Sequence, residues 1–479
     1  MTSADKVRTA LRWTAAGTAG SELLGLVFLV ILARLLTPED YGLVSLLGAI
    51  IALSLTVVDS GLAKTLVQKQ DLQPDDEVTA FMLQIGLGLA MSVAIFLSAP
   101  WVARFFADPR LEALTYAASL RPLLTSFAPI QQARLERRMD FKSQAIVDLL
   151  ANLLAGIAAT AIACMGYGPW ALIAQMLLWA GCRSGLLWLR HPWRPAGRFT
   201  RASVCALLPF SWRLLVSGFI NSAFSQLHTL AIGRLLAISD VGLYNRARSL
   251  QEPVTAAMGT IVHKVSFSAY ARLQDDRIAL LAAYRKTMRL MSAINAPAML
   301  GLAAVAPTLV PAVLGSQWSD ATSLVQGFAL CGLFIPLTAQ SQHVLLALGR
   351  ADLVLRLTIL KHVLTVLLLA ATWQYGLIAI IIGIGIRCMI VHAIASLVLL
   401  RYLGYALVAQ FRDVLPAHLA GCLAAVTAMA THIPGSGYDL AQLAIQVATG
   451  AGAWLALVFL LRHGMHAEIW SEMRRFIRH

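Results

Sequence analysis

Apolar residues in this chain come in long unbroken blocks, not in the alternation of a strand or the single stripe of a surface helix. A helix needs about 20 consecutive, mainly apolar residues to cross the hydrocarbon core of a bilayer. Blocks of that size lie near 13–35, 42–62, 79–101, 112–133, 144–165 and 169–189. A second set lies near 210–236, 243–267, 288–312, 321–347, 353–372 and 376–399, and a final pair near 414–431 and 441–461. The fourth and eighth each carry polar residues among the apolar ones. The pattern predicts an all-α integral membrane protein of about fourteen transmembrane helices, because lipid offers exposed backbone groups no partner.

Charge sets the orientation. Basic residues gather in alternate connectors: Lys6, Arg8 and Arg12; Lys64 and Lys69; Arg134, Arg137, Arg138 and Lys142; Arg190, Arg194, Arg198 and Arg201; Arg272, Arg277, Arg285 and Lys286; Arg350; Arg401 and Arg412; and Arg462, Arg474, Arg475 and Arg478. The opposite connectors hold Arg104 and Arg110. This is the positive-inside asymmetry, and it predicts cytoplasmic termini. The formal net charge of +14 therefore speaks for membrane orientation and against nucleic acid. With 58% hydrophobic and 13% charged residues, the composition suits a lipid-solvated exterior. The six cysteines sit in or beside apolar blocks with no CxxC pair, so no metal or cofactor is expected. The apolar stretch after the basic start is too long for a signal core and reads as a first span. From Ala467 to His479, Ile469, Trp470, Met473, Phe476 and Ile477 share one helical face, as in an interfacial helix.

The chain also repeats itself. ARLLTPEDYGL at 33–43 matches GRLLAISDVGL at 233–243, pairing Arg34 with Arg234, Asp40 with Asp240 and Gly42 with Gly242. Asp75-Asp76 and Asp275-Asp276 keep that offset, and Tyr167-Gly168 and Tyr375-Gly376 nearly do. The offset spans six helices, an even number, so both copies have the same orientation in the membrane. Parallel repeats of this kind imply two lobes, a cavity between them and a rocking motion. The expected division is an N-terminal lobe over 1–200, a C-terminal lobe over 201–400, and two accessory helices with the tail over 401–479. Within the repeated motif, Pro38 is set for a turn and Asp40 for capping the next helix.

Several segments resemble the polysaccharide transporter family of Wzx and WzxC-like flippases. They are the two repeated motifs, DSGLAKTLVQKQDL at 59–72, RRMDFK at 137–142, ARLQDD at 271–276, LGSQW at 314–318 and ALGRADL at 347–353. They keep their order along nearly the whole chain. The family is part of a superfamily with multidrug extruders and lipid II flippases. The resemblance implies a V-shaped fold of two six-helix lobes. It also implies movement of undecaprenyl-pyrophosphate-linked oligosaccharide repeat units from the cytoplasmic to the periplasmic leaflet of a bacterial inner membrane. Such a protein serves exopolysaccharide or lipopolysaccharide synthesis, with membrane lipids and a polysaccharide polymerase or other assembly proteins as partners.

Ionisable residues inside spans are costly and face a cavity or a partner. Arg121, Lys361 and Arg387 fall near mid-span, and a pyrophosphate-sugar head needs cationic, multi-donor contacts. They are either cavity residues or structural partners, for example Arg121 with Glu22 or Glu252. Lys64, Arg213 and Lys264 near the cytoplasmic side, and Arg246 and Arg248 near the external side, are entry and exit steps for the head group or snorkelling side chains. Glu22 and Glu252 are candidates for proton or sodium coupling. A multidrug antiporter of the same superfamily is the alternative, though its cationic cargo calls for acidic rather than basic mid-span residues. An enzyme is disfavoured, because no large external loop and no DxD, GxGxxG, CxxC or HExxH motif is present.

Overall fold

The computed structural model describes residues 3–59, 61–69, 71–190, 193–431 and 440–460, without the side chains of 3–12, 15–16, 210, 256–268, 458 and 460. The expected interfacial tail helix lies outside the described residues. All regular structure among them is helical. Ten stretches are long and apolar enough to cross a membrane, eleven if the bent pair Arg201–Pro209 and Ser211–Leu235 is one span. Leu23, Leu97, Ile157, Leu367, Ile382 and Val426 are each more than half exposed, as lipid-facing side chains are. The chain falls into two compact units, Met1–Gly242 and Leu243–His479.

The first unit contains α1 (Ser3–Leu35), α2 (Pro38–Asp59), the short α3 (Leu62–Gln68), α4 (Pro74–Phe106), α5 (Arg110–Ala118), α6 (Leu120–Ser126), α7 (Pro129–Arg137), α8 (Phe141–Cys164), α9 (Pro169–Arg190) and α10 (Arg201–Leu235). The expected single helix over 112–133 is thus three pieces. Pro122 and Pro129 remove backbone donors there and start new turns. A polar group freed by such a break needs a partner in lipid. The Leu123 amide finds it in the Ser92 hydroxyl of α4, 3.1 Å away. Gly88, one turn before Ser92, has no side chain to hold α4 away: a Cβ there would strike Ser126 of α6. Small residues bring α8 equally close to α1. Ala145, Ala151, Ala155, Ala159 and Ala163 are buried, and Gly17 and Gly156 sit against Ala145 and Phe28.

The second unit begins within α11 (Ile238–Arg272) and continues through α12 (Arg277–Leu309), α13 (Ala321–Gly332), α14 (Ile335–Ala347), α15 (Ala351–Thr372), α16 (Gly376–Leu403), α17 (Leu407–Ala430) and α18 (Leu440–Leu460). The expected helix over 321–347 is again divided, ahead of Pro336. Here Asn295 of α12 donates to the freed carbonyls of Gly332 and Leu333, at 3.1 and 3.4 Å. In each unit the break is thus capped from the long helix before it, α4 in the first and α12 in the second. Helix α17 is pinned to α12 by the buried Asp413, which accepts from Arg285 at 2.6 Å, Arg289 at 2.7 Å and Tyr405 at 2.6 Å.

The repeat is visible in local geometry. Asp40 accepts from the Thr37 amide at 2.9 Å, and Asp240 from the Ala237 amide at 3.2 Å, so the repeated aspartate closes the same turn twice. Met139 and Gly349, and Gly168 and Gly376, hold positive φ at corresponding connectors. The two glycines of the repeated motif meet one another's helix starts. A Cβ on Gly42 would land on the carbonyl oxygen of Ile238, and one on Gly242 on that of Pro38.

Candidate substrate cavity

The polar side chains of the first unit recur at helical spacing and gather on one side of each helix. On α2 these are Tyr41 and Ser45; on α8, Gln144, Asp148 and Asn152; on α9, Gln175, Trp179 and Arg183. Four-residue steps place each set on one face. Together with Arg121 from the broken segment α6, all of these but Arg183 line two adjoining cavities that share Asn152 and Trp179.

The larger, about 410 Å³, is lined by Arg121, Tyr41, Ser45, Asn152, Gln175 and Trp179, with Gly48, Ala155 and Met176 among the apolar members. Its size is in the range of small-ligand sites, about 300–1,000 Å³. Arg121 is largely buried, its Nε makes no hydrogen bond, and no carboxylate among the described residues pairs with it. Neither Asn152 nor Gln175 makes a side-chain hydrogen bond to another described residue. The smaller cavity, about 340 Å³, is lined by Glu22, Glu136 and Asp148 with Gln144, Ser21 and Trp13. Asp148 is held by Arg183 at 2.7 Å, Arg183 also donates to Gln132 at 2.8 Å, and Glu136 accepts from Gln132 at 2.9 Å. Glu22 has no ion-pair partner among the described residues.

In the second unit Lys361 on α15 and Arg387 on α16 are joined through Thr365. The Thr365 hydroxyl donates to the Lys361 carbonyl at 2.7 Å and accepts from Arg387 at 3.0 Å. Among the described residues neither cation has a carboxylate partner. The Thr365 bond to Lys361 goes to the main chain, so only Arg387 uses the hydroxyl, and the two cations stand on the packed pair α15 and α16 with no carboxylate partner, a setting that suits an anion.

The remaining candidates are placed differently. Lys64 is exposed and lies 4.0 Å from Asp59. Arg213 is exposed on α10, and the side chain of Lys264 lies outside the described residues. Arg248 is bridged to Glu252 at 2.6 Å, one turn along α11. Arg246 sits 6.0 Å from the Trp318 ring. Sequence reasoning did not single out Ser45, Asn152, Gln175 or Trp179. Their four-residue spacing was the available signal.

The family described as polysaccharide biosynthesis protein matches residues 31–323. The lipopolysaccharide biosynthesis protein WzxC of Escherichia coli (strain K12) is 28% identical over 401 residues, covering 83% of this chain and 80% of that one. The teichuronic acid biosynthesis protein TuaB of Bacillus subtilis (strain 168) is 23% identical over 469 residues, 95% of each chain. The succinoglycan biosynthesis transport protein ExoT of Rhizobium meliloti (strain 1021) is 27% identical over 331 residues, covering 68% of this chain and 67% of that one. Among solved structures, the lipid II flippase MurJ in an inward closed conformation superposes with a TM-score of 0.74 at 13% identity, covering 94% of this chain and 98% of that one. An inward-facing multidrug resistance MATE family transporter of the MOP superfamily gives 0.64 at 17% identity, covering 80% and 94%. The fold is therefore that of multi-pass membrane transporters.

Proposed function

The chain belongs to the polysaccharide biosynthesis protein family, and from that premise we propose that it is a flippase for lipid-linked oligosaccharide repeat units. It carries units built on undecaprenyl pyrophosphate from the cytoplasmic to the periplasmic leaflet of a bacterial inner membrane, for exopolysaccharide or lipopolysaccharide assembly. Fourteen spans, both termini in the cytoplasm and two six-helix repeats over 1–200 and 201–400 complete the reading. The repeats work by alternating access. The helices over 401–479 are accessory, and a polysaccharide polymerase is a partner.

The observation that carries the reading is the set of uncompensated cations. Arg121, Lys361 and Arg387 lie within helices of a transporter fold, and no carboxylate neutralises them among the described residues. A buried cation without a counter-ion is costly unless a ligand supplies the opposite charge. An anionic pyrophosphate-sugar head does so. A cationic drug would meet repulsion, which disfavours the antiporter. Glu252 is engaged by Arg248, which leaves Glu22 the freer of the two coupling candidates.

A deletion strain tests this directly. Lipid-linked repeat units should accumulate on the cytoplasmic leaflet, and the wild-type gene should clear them. A variant with Arg121→Gln, Lys361→Gln and Arg387→Gln should insert normally yet leave the accumulation in place. Full clearance by that variant would remove the cationic route. Drug resistance on overexpression without any polysaccharide phenotype would instead favour the antiporter.

A further inference from the structure

We infer that the cavity at the α6 break is a subsite for a carboxylate-bearing sugar of the transported saccharide, with Arg121 as the partner of the carboxylate. The inference rests on the flippase reading and divides its cations between two tasks.

Three features distinguish this cavity from a pyrophosphate site. First, Arg121 is the one cation in its lining. A guanidinium fork accepts one carboxylate in bidentate fashion, with both charges satisfied. Second, the adjoining cavity, reached past Asn152 and Trp179, carries Glu22, Glu136 and Asp148, of which Asp148 alone is bridged to an arginine. Repulsion from those carboxylates grows in proportion to the charge of the ligand. The pyrophosphate diester of the cargo, with two charges, is penalised there about twice as much as a single carboxylate. Lys361 and Arg387, two cations on the packed helices α15 and α16 without a carboxylate partner among the described residues, are the better receptor for the more highly charged group. Third, the rest of the lining suits a sugar ring. Asn152 and Gln175 supply donors and acceptors unused by the protein, Ser45 adds a hydroxyl, and Trp179 offers an indole. Amides match vicinal hydroxyl groups, and an aromatic face matches the C–H face of a pyranose.

The test uses the full chain in lipid nanodiscs with three probes: glucuronate, glucose and inorganic pyrophosphate. Saturation-transfer NMR follows the sugars, and phosphorus line broadening follows pyrophosphate. Glucuronate should bind at least about tenfold tighter than glucose, the factor expected of one charge-assisted contact. Arg121→Gln should erase that preference without changing pyrophosphate binding. Lys361→Gln with Arg387→Gln should do the reverse. Should Arg121→Gln fail to fold, Gln175→Ala serves instead and should weaken both sugars together while sparing pyrophosphate. Equal binding of the two sugars, no sugar binding at all, or loss of pyrophosphate binding on Arg121→Gln would overturn the inference. Absence of pyrophosphate binding in the wild type, with the glucuronate preference intact, would count against the pyrophosphate-linked cargo and leave the subsite standing.

Discussion

At the end of α4 a short chain of charges closes the turn into α5. Arg110 donates to the buried Asp108 at 2.6 Å through its guanidinium and also reaches Glu39 at the start of α2. That hydrogen bond, ahead of the opposing cost of burial, holds the Asp108 carboxyl below the usual carboxylate range. A carboxylate with a depressed native pKa adds stability that is complete above the ordinary value of about 3.9, and the gain disappears as pH falls through the lower native value. Thermal unfolding in detergent should therefore show a stability loss below about pH 4 that is smaller in Asp108→Asn. Carboxyl NMR titration should find Asp108 nearer its ordinary pKa in Arg110→Gln. At Gly42 the constraint is steric. Gly42→Val drives a side chain into the Ile238 carbonyl and should cost about 1–3 kcal/mol, the range for overpacking. Gly86→Ala, with open space around it, should be neutral by the same melting assay. Arg121, Lys361 and Arg387 were legible in the sequence because a charge in an apolar block has few explanations. Asn152 and Gln175 were not, since an amide in a span is usually an interhelical contact and only the cavity distinguishes the two.

Among the helices, the two broken spans show what hydropathy leaves out. An apolar tally registers that 112–133 and 321–347 are lipid-compatible but carries no information on backbone continuity. Pro122, Pro129 and Pro336 were in view, yet many spans in this chain carry a proline inside a continuous helix, as α12 does at Pro297. What separates the cases is the partner for the freed backbone group, and that partner is a residue on another helix. Asn295→Ala should leave the Gly332 and Leu333 carbonyls without their donor and cost about 1–3 kcal/mol. Hydrogen exchange should localise the loosening to the junction of α13 and α14. The helices also outrun their apolar blocks: α4, α10, α11 and α12 each exceed 30 residues, because polar extensions continue past the expected ends.

For the molecule as a whole, lipid is the simplifying agent. It forbids most backbone arrangements, so block length and basic connectors sufficed to read an all-helical multi-pass protein from the sequence. Orientation is open to a direct check. With the six native cysteines replaced, Asp71→Cys should react with an impermeant maleimide only after permeabilisation, whereas Pro109→Cys should react in intact spheroplasts. The division into units was less legible. The compact units follow contacts, which place α10 with the first: Ser211 lies 3.0 Å from Thr65, and Gly233 and Gly218 of α10 lie against Leu46 and Thr56 of α2.

The reciprocal approach of Gly42 to Ile238 and of Gly242 to Pro38 joins main chain to main chain. Side chains elsewhere in the two copies have been free to diverge: Thr37 faces Ala237 in the alignment, and Tyr41 faces Val241. At this crossing there is no side chain to exchange, and nearly every substitution is excluded twice over. The repeated motif therefore keeps two kinds of position, the glycines that let main chain touch main chain and the aspartates that close the turns beside them.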